Sequence, residues 1–152
     1  MQTRPYPTED GLRVWLSRSE QAALLDVYDG DDDPRPRRRI ALQLGLHGLR
    51  ADEVAEVRPE HFRRLDGGED RYALVIPDGK TGRRETPVAG DLYQRVRHLK
   101  TGARMRQDDP VVDVGKRQVR NWVEIARDRL DDDRDDDYPW SDLGMHDLRR
   151  TW

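Results

Sequence analysis

Between Arg63 and Val88 the apolar residues change period, and that change limits the chain to few architectures. From Ser17 to Val57 apolar side chains recur at helical spacing, whereas Arg63–Asp66, Arg71–Pro77 and Arg84–Val88 read as strands. Asp66-Gly67-Gly68 and Asp78-Gly79 part these runs. Glycine after aspartate supplies the positive φ of a tight hairpin turn, so the three strands are predicted to form an antiparallel meander. Past Val88 the helical spacing returns. The expected fold is α+β and mainly α, with helices around a small three-stranded antiparallel sheet.

The helices can be placed by their end signals. Ser17-Arg18-Ser19-Glu20 is a capping box, in which serine and glutamate each satisfy a backbone N–H. Leu24, Leu25, Val27 and Tyr28 then predict a helix from Ser17 to Tyr28, broken by residues 29–36. A second helix covers Arg37 to His47 and buries Ile40, Leu42, Leu44 and Leu46, with Gly45 and Gly48 blurring its end. Ala51–Val57 forms a short third. Asp91 is expected to cap a helix through Lys100, and a longer one spans Gly115 to Leu130 with Val119, Trp122, Val123 and Ala126 inward. A last helical segment begins near Met145. Residues 1–13 are polar, carry Pro5 and Pro7, and read as a linker or remnant.

With 152 residues the remainder, 14–152, makes one domain. The chain has no cysteine, and His47, His61, His98 and His146 stand at no familiar ligand spacing, so no disulfide and no metal is implied. The acidic run Asp131–Asp137 lacks the alternation and glycine of a calcium loop and reads as a solvated loop. No apolar run nears the roughly 20 residues that cross a bilayer, and the first residues carry no signal pattern. A soluble, cytoplasmic protein with no membrane partner is expected.

Net charge is −3, which by itself argues against a polyanionic partner. The average conceals a division. Residues 34–130 hold 22 Lys+Arg against 15 Asp+Glu, net +7, while the flanks hold 6 against 16, net −10. Only Lys80, Lys100 and Lys116 are lysine among the 28 basic residues, which together with the aspartate clusters resembles the composition of a salt-adapted protein. At about 1 M salt the screening length is about 3 Å, and acidic flanks then repel DNA little.

Three places carry chemistry. Arg50 closes Gly48-Leu49-Arg50 and has Glu53 one turn on; a planar guanidinium can grip two phosphate oxygens at once, and the carboxylate can hold the fork. Lys80 sits in the turn Asp78-Gly79-Lys80-Thr81-Gly82, which lacks the first glycine of a nucleotide-binding loop. His146 and Arg149, three apart near a helix start, share one face beside free backbone N–H groups, a setting that favours anions. Taken singly, each also fits a solvated surface residue.

In order, these elements resemble the tyrosine recombinase (phage integrase) catalytic domain. Leu46-His47-Gly48-Leu49-Arg50-Ala51-Asp52-Glu53 matches the family's first arginine and the acidic residue after it, and His146-Asp147-Leu148-Arg149 with Thr151 matches its His-x-x-Arg element. The resemblance implies that Arg50 and Arg149 clamp a phosphate, that His146 holds or shuttles a proton, that Lys80 acts as general acid on the departing 5′ oxygen, and that Glu53 supports Arg50. It implies double-stranded DNA as partner, no cofactor, and tetramers on paired sites for the whole protein. Arg37, Arg38, Arg83, Arg84, Arg117 and Arg120 are expected among the DNA contacts, on the footing that a basic patch is the footprint of phosphate binding.

The chain departs from the family in two respects. Arg150 stands where histidine is usual, and the nucleophilic tyrosine, which the family places beyond the His-x-x-Arg element, is absent: Tyr6, Tyr28, Tyr72, Tyr93 and Tyr138 all precede Arg149. Trp152 lies too near Arg149 to match the family's tryptophan. The expectation is a catalytic core that stops short of its C-terminal end, binds DNA as a monomer and does not cut it. A non-catalytic DNA-binding or regulatory remnant is the alternative, and an unrelated salt-adapted α+β domain a third.

Overall fold

A computed structural model describes residues 1–30, 35–67, 70–132 and 140–152. The acidic runs 31–33 and 133–137, with Tyr138, lie outside the described residues. Two strands come first, β1 (Gln2–Pro5) and β2 (Leu12–Trp15), followed by helices α1 (Arg18–Asp26), α2 (Pro36–Leu46) and α3 (Ala51–Glu56). Strands β3 (Phe62–Arg64), β4 (Tyr72–Gly79) and β5 (Gly82–Val88) precede α4 (Gly90–Gly102), α5 (Lys116–Asp132) and α6 (Met145–Thr151). The sheet order β3-β4-β5 is antiparallel throughout, so the α+β expectation with a three-stranded meander holds.

The segment expected as a linker does not behave as one. Gln2–Pro5 pairs with Leu12–Trp15 as an antiparallel hairpin, Gln2 opposite Trp15 and Pro5 opposite Leu12. β2 buries Val14, and its N–H donates to the Asp147 carboxylate of α6 at 3.2 Å. The Leu16 N–H donates to the Thr151 hydroxyl at 3.2 Å. Tyr6 is flanked by the Arg13 and Arg150 guanidinium groups, 5.1 and 5.3 Å from its ring centre, and accepts a 2.9 Å bond from Arg150. A strand whose outer residues are all exposed leaves no apolar signature in sequence; its evidence is the pairing itself.

α1 starts where the capping box places it. The Ser17 hydroxyl accepts from the Glu20 N–H at 3.3 Å, and the Glu20 carboxylate accepts from the Ser17 N–H at 2.7 Å. Along α2, Ile40, Leu42, Leu44 and Leu46 repeat every second residue. In a helix that repeat scatters apolar groups around the whole circumference, which suits only a helix enclosed on all sides. Every α2 residue from Arg39 to Leu46 is indeed buried, and α1, α4, α5 and α6 pack around it. Asp91 is not the cap of α4, which begins after Ala89; its carboxylate accepts from Gln43 of α2 and from Arg95 instead. α5 runs two residues further than expected, through Asp132, and buries Val119, Trp122, Val123 and Ala126 as anticipated.

Two glycines of α2 set its geometry. Gly48, at φ +87°, is the left-handed residue past the helix end; its N–H donates to the Gly45 carbonyl at 2.9 Å, and the Leu49 N–H reaches the Leu44 carbonyl at 3.3 Å. That double closure is the Schellman motif. Gly45 faces α6, where a side-chain methyl would lie 2.8 Å from Met145 Cε and 3.2 Å from a Leu148 methyl. Its lack of a side chain lets α6 press against the end of α2. Gly45→Val should overpack this crossing and lower stability by about 1–3 kcal/mol, with the urea midpoint as the measurement.

Candidate phosphate-binding site

The start of α3, the β4–β5 hairpin and α6 lie around the end of α2, and Arg50, Lys80, His146 and Arg149 sit on these elements. Arg50 is the residue on which α3 begins, half-buried. Glu53, one turn on and buried, accepts the Arg50 N–H at 2.8 Å and its guanidinium Nη1 at 3.3 Å. The supporting contact expected of Glu53 is therefore present. Its closer partner is one that sequence reasoning assigned elsewhere: Arg84 of β5 donates Nη2 to Glu53 Oε2 at 2.8 Å and Nη1 to Oε1. Arg84 also reaches the Gly48 carbonyl at 3.3 Å.

Arg149 and His146 project from α6. Arg149 makes no hydrogen bond or ion pair among the described residues, and its pKa is pushed down by partial burial and then by the positive charges of Arg50 and Arg84. Since a guanidinium stays charged at any working pH, the repulsion means that three cations share one small region with Glu53 as the carboxylate between them. His146 is exposed and also titrates low, through burial and the nearby charges of Arg150, Arg149 and Arg50, so it is neutral near pH 7. The start of α6 is partly filled from within, because the Asp147 carboxylate accepts the Gly144 N–H at 3.0 Å. The site's positive character comes from side chains more than from that helix end. Lys80 lies exposed at the hairpin tip between Gly79 and Gly82, which pair across the turn.

The other arginines expected on DNA divide. Arg37 and Arg38 lie at the opposite end of α2 from Arg50, about 15 Å away at 1.5 Å per residue. Both are engaged internally: Arg37 donates to the Val111 carbonyl at 2.8 Å, and Arg38 lies over Tyr28 and Trp122, 5.6 Å from each ring. Arg83 pairs with Glu85 at 3.3 Å on the exposed face of β5. Arg120, exposed on α5, lines a cleft of about 450 Å³ together with His146, Tyr6 and Glu124. Arg117 is exposed one turn earlier. Arg150, read as a variation at the site, turns away to Tyr6 and Asp147.

Two residues named in the sequence only as members of a motif have structural roles that it did not show. Asp147 joins β2, the start of α6 and Arg150 through one buried carboxylate. His47 is buried with both ring nitrogens bonded, Nδ1 to the Gln43 carbonyl at 2.7 Å and Nε2 to the Ala89 N–H at 3.1 Å. Nε2 accepts, so Nδ1 carries the proton and the ring is neutral. Trp152 tilts over it at 5.2 Å between ring centres. Neither role could be inferred from spacing, since the partners are remote in sequence.

Burial lowers the pKa of His47, as it does for His61 and His146. Each binds its proton less readily in the folded chain than in the unfolded one, where histidine titrates near about 6.5. Their contribution to stability is whole above that value and is lost as pH falls from it through the lower folded values. Urea stability should therefore drop between about pH 7.5 and about pH 5.5, and His47→Gln, which takes up no proton, should flatten the slope. An unchanged slope would assign the effect to other groups.

No protein-family model matches the chain, and no curated protein sequence does. Solved structures do. The chain is similar to the Tn1549 transposon integrase in complex with transposon right-end DNA, with a TM-score of 0.64 and 15% identity over 95% of this chain and 53% of that one. XerH site-specific recombinase bound to palindromic difH substrate gives 0.66 and 16%, covering 95% of this chain and 42% of that one. XerA recombinase gives 0.62 and 16%, covering 91% and 48%. The chain thus spans about half the length of these proteins. At such identities the likeness is one of fold, and the helices around a three-stranded antiparallel sheet described above have the recombinase catalytic-domain fold.

Proposed function

We propose that residues 14–152 form the DNA-binding catalytic core of a site-specific tyrosine recombinase or integrase, in which the whole protein breaks and rejoins DNA through a 3′-phosphotyrosyl intermediate. The observation that carries the proposal is the gathering of Arg50, Arg84 and Arg149 around one carboxylate, with Arg149 unbonded among the described residues. Like charges so placed destabilise a folded chain unless an anion joins them, and a phosphodiester is an anion whose two free oxygens fit two guanidinium forks. In this reading Arg50 and Arg149 grip those oxygens and stabilise the charge that grows on them in the transition state. His146, neutral near pH 7, holds or passes a proton; Lys80 protonates the departing 5′ oxygen; Glu53 steadies Arg50. The chemistry calls for no metal and no cofactor, because the bond energy is retained in the covalent intermediate. The Tn1549 integrase and XerH structures are DNA complexes, which supports duplex DNA as the partner. The aspartate-rich, lysine-poor composition supports operation in concentrated salt.

A second reading, a non-catalytic DNA-binding or regulatory remnant, is favoured by where the tyrosines lie. Tyr28 is buried with its hydroxyl on the Trp122 carbonyl at 2.6 Å, Tyr72 and Tyr93 stack at 3.9 Å, and Tyr6 is held by Arg150. Tyr138 is outside the described residues. The two readings part on whether the full-length protein forms a covalent adduct with a cognate DNA site on a denaturing gel; the 152 residues alone should form none. By light scattering they should run as a monomer, and a stable tetramer would contradict that expectation.

The binding half of the proposal is tested on the chain itself. By fluorescence anisotropy with a short labelled duplex, Arg50→Gln and Arg149→Gln should each weaken binding about tenfold or more, as expected for a lost charge-assisted contact. Each should also make the dependence of affinity on salt shallower by nearly one counterion. Unchanged affinity and salt slope in both variants would sink the reading.

A further inference from the structure

The carboxylate of Glu53 is fully subscribed. Oε2 accepts the Arg50 N–H and Arg84 Nη2, both at 2.8 Å; Oε1 accepts Arg84 Nη1 and, at 3.3 Å, Arg50 Nη1. Four donors match the four lone-pair positions of an ionised carboxylate. Burial alone would raise the pKa of Glu53, but the bonds and charges of Arg84 and Arg50 outweigh it and hold the group ionised below its ordinary value. The two arginines do not share it equally. Arg84 approaches as a two-pronged fork, whereas Arg50 gives its side chain through one long contact.

That asymmetry decides what Arg50 is free to do. A buried carboxylate deprived of one partner seeks another, because an unpaired buried charge is strongly unfavourable. Were Arg84 absent, Arg50 is the remaining cation bonded to Glu53, and its fork would turn inward. With Arg84 in place, Glu53 is satisfied and most of the Arg50 fork stays open. The same bonds also fasten the hairpin. Arg84 lies on β5 opposite Ile76, beyond the irregular register between Ile76 and Gly79, and its contacts cross to α3 and to the Gly48 carbonyl at the end of α2. A methyl on Gly79 would lie 3.0 Å from Arg84 Nη1 and 3.5 Å from Glu53 Oε1, so the strand leading to Lys80 runs directly past the ion pair.

We infer that Arg84 is a positioning residue rather than a DNA contact: it occupies Glu53 so that Arg50 remains available to phosphate, and it ties the Lys80 hairpin to α3. The first half rests on the phosphate-site reading above; the second stands on the fold alone. Arg84→Gln should weaken binding of a short labelled duplex about tenfold, like Arg50→Gln, although its own side chain touches no phosphate. Arg84→Gln combined with Glu53→Gln should restore affinity to within about threefold of the wild type, since the carboxylate that captures Arg50 is gone. A direct phosphate contact, or a merely structural one, would leave the double variant as weak as Arg84→Gln, and that outcome overturns the inference. Should Arg84→Gln not fold, Arg84→Lys gives the same comparison, because lysine keeps the charge and loses the fork.

Hydrogen exchange reads the second role without DNA. The amides of residues 79–82 should exchange faster in Arg84→Gln and in the double variant, and at the wild-type rate in Arg50→Gln. Unaltered protection in Arg84→Gln overturns the fastening. If the wild type binds no duplex and Arg50→Gln and Arg149→Gln change nothing, the phosphate-site reading has failed, and exchange still decides what Arg84 holds.

Discussion

The absence of a side chain at Gly45 governs how near α6 comes to α2, and the geometry of the site follows from that distance. Met145 and Leu148 fill the space a side chain would take, and they flank His146 on the sequence, with Arg149 next to Leu148. Packing the apolar side of α6 onto α2 therefore carries the basic side to the end of α2. There the Schellman closure at Gly48 turns the chain at once into Arg50 and α3. Two glycines three residues apart thus serve two ends: one admits a neighbouring helix, the other releases the chain toward its first arginine. A side chain at Gly45 would press on Met145 and Leu148, and one at Gly48 would meet Trp152 in a left-handed backbone that favours glycine.

Around this frame the charges are unequal by arrangement. Most of the arginines whose contacts are described meet a carboxylate or a carbonyl: Arg95 spans Asp29 and Asp91, Arg39 lies between Asp26 and Asp29, and Arg63 meets Glu85. The exposed pairs among these contribute little individually. Against that background Arg149 stands out because its neighbours are cations. Among the described residues, positive charge is paired over much of the molecule, whereas Arg149 is left without a bonded partner beside Arg50 and Arg84.

Much of this was legible in the sequence, and the reasons are specific. The Ser17–Glu20 box and the change of period at the sheet are local signals that depend on near neighbours, so they survive without a structure. Arg50, Lys80, His146 and Arg149 could each be picked out by type and order, and the elements that carry Arg50, His146 and Arg149 pack at the end of α2. What escaped was long-range pairing. Gln2–Pro5 is a strand only because Leu12–Trp15 folds back on it, and Asp91 serves Gln43 and Arg95 instead of its own helix start. Charge sign says nothing about partners, which is why Arg37 and Arg38 read like Arg120 although the first two have a carbonyl and ring partners within the molecule. The bond from Arg84 to Glu53 escaped for the same reason: its partner lies 31 residues away.

The bonds from β2 to α6 bear on how the chain acquires its shape during synthesis. Val14 is joined to Asp147 across 133 residues, and Leu16 to Thr151 across 135. Closing loops of that size is entropically costly and kinetically late. A ribosome adding about 5–20 residues per second would have released the sheet and the central helix well before residues 145–151 emerge. Until they do, the β1–β2 hairpin lacks its partner, and Arg50 faces neither His146 nor Arg149. The nascent chain can therefore pair Arg50 and Arg84 with Glu53 before Arg149 adds its charge beside theirs.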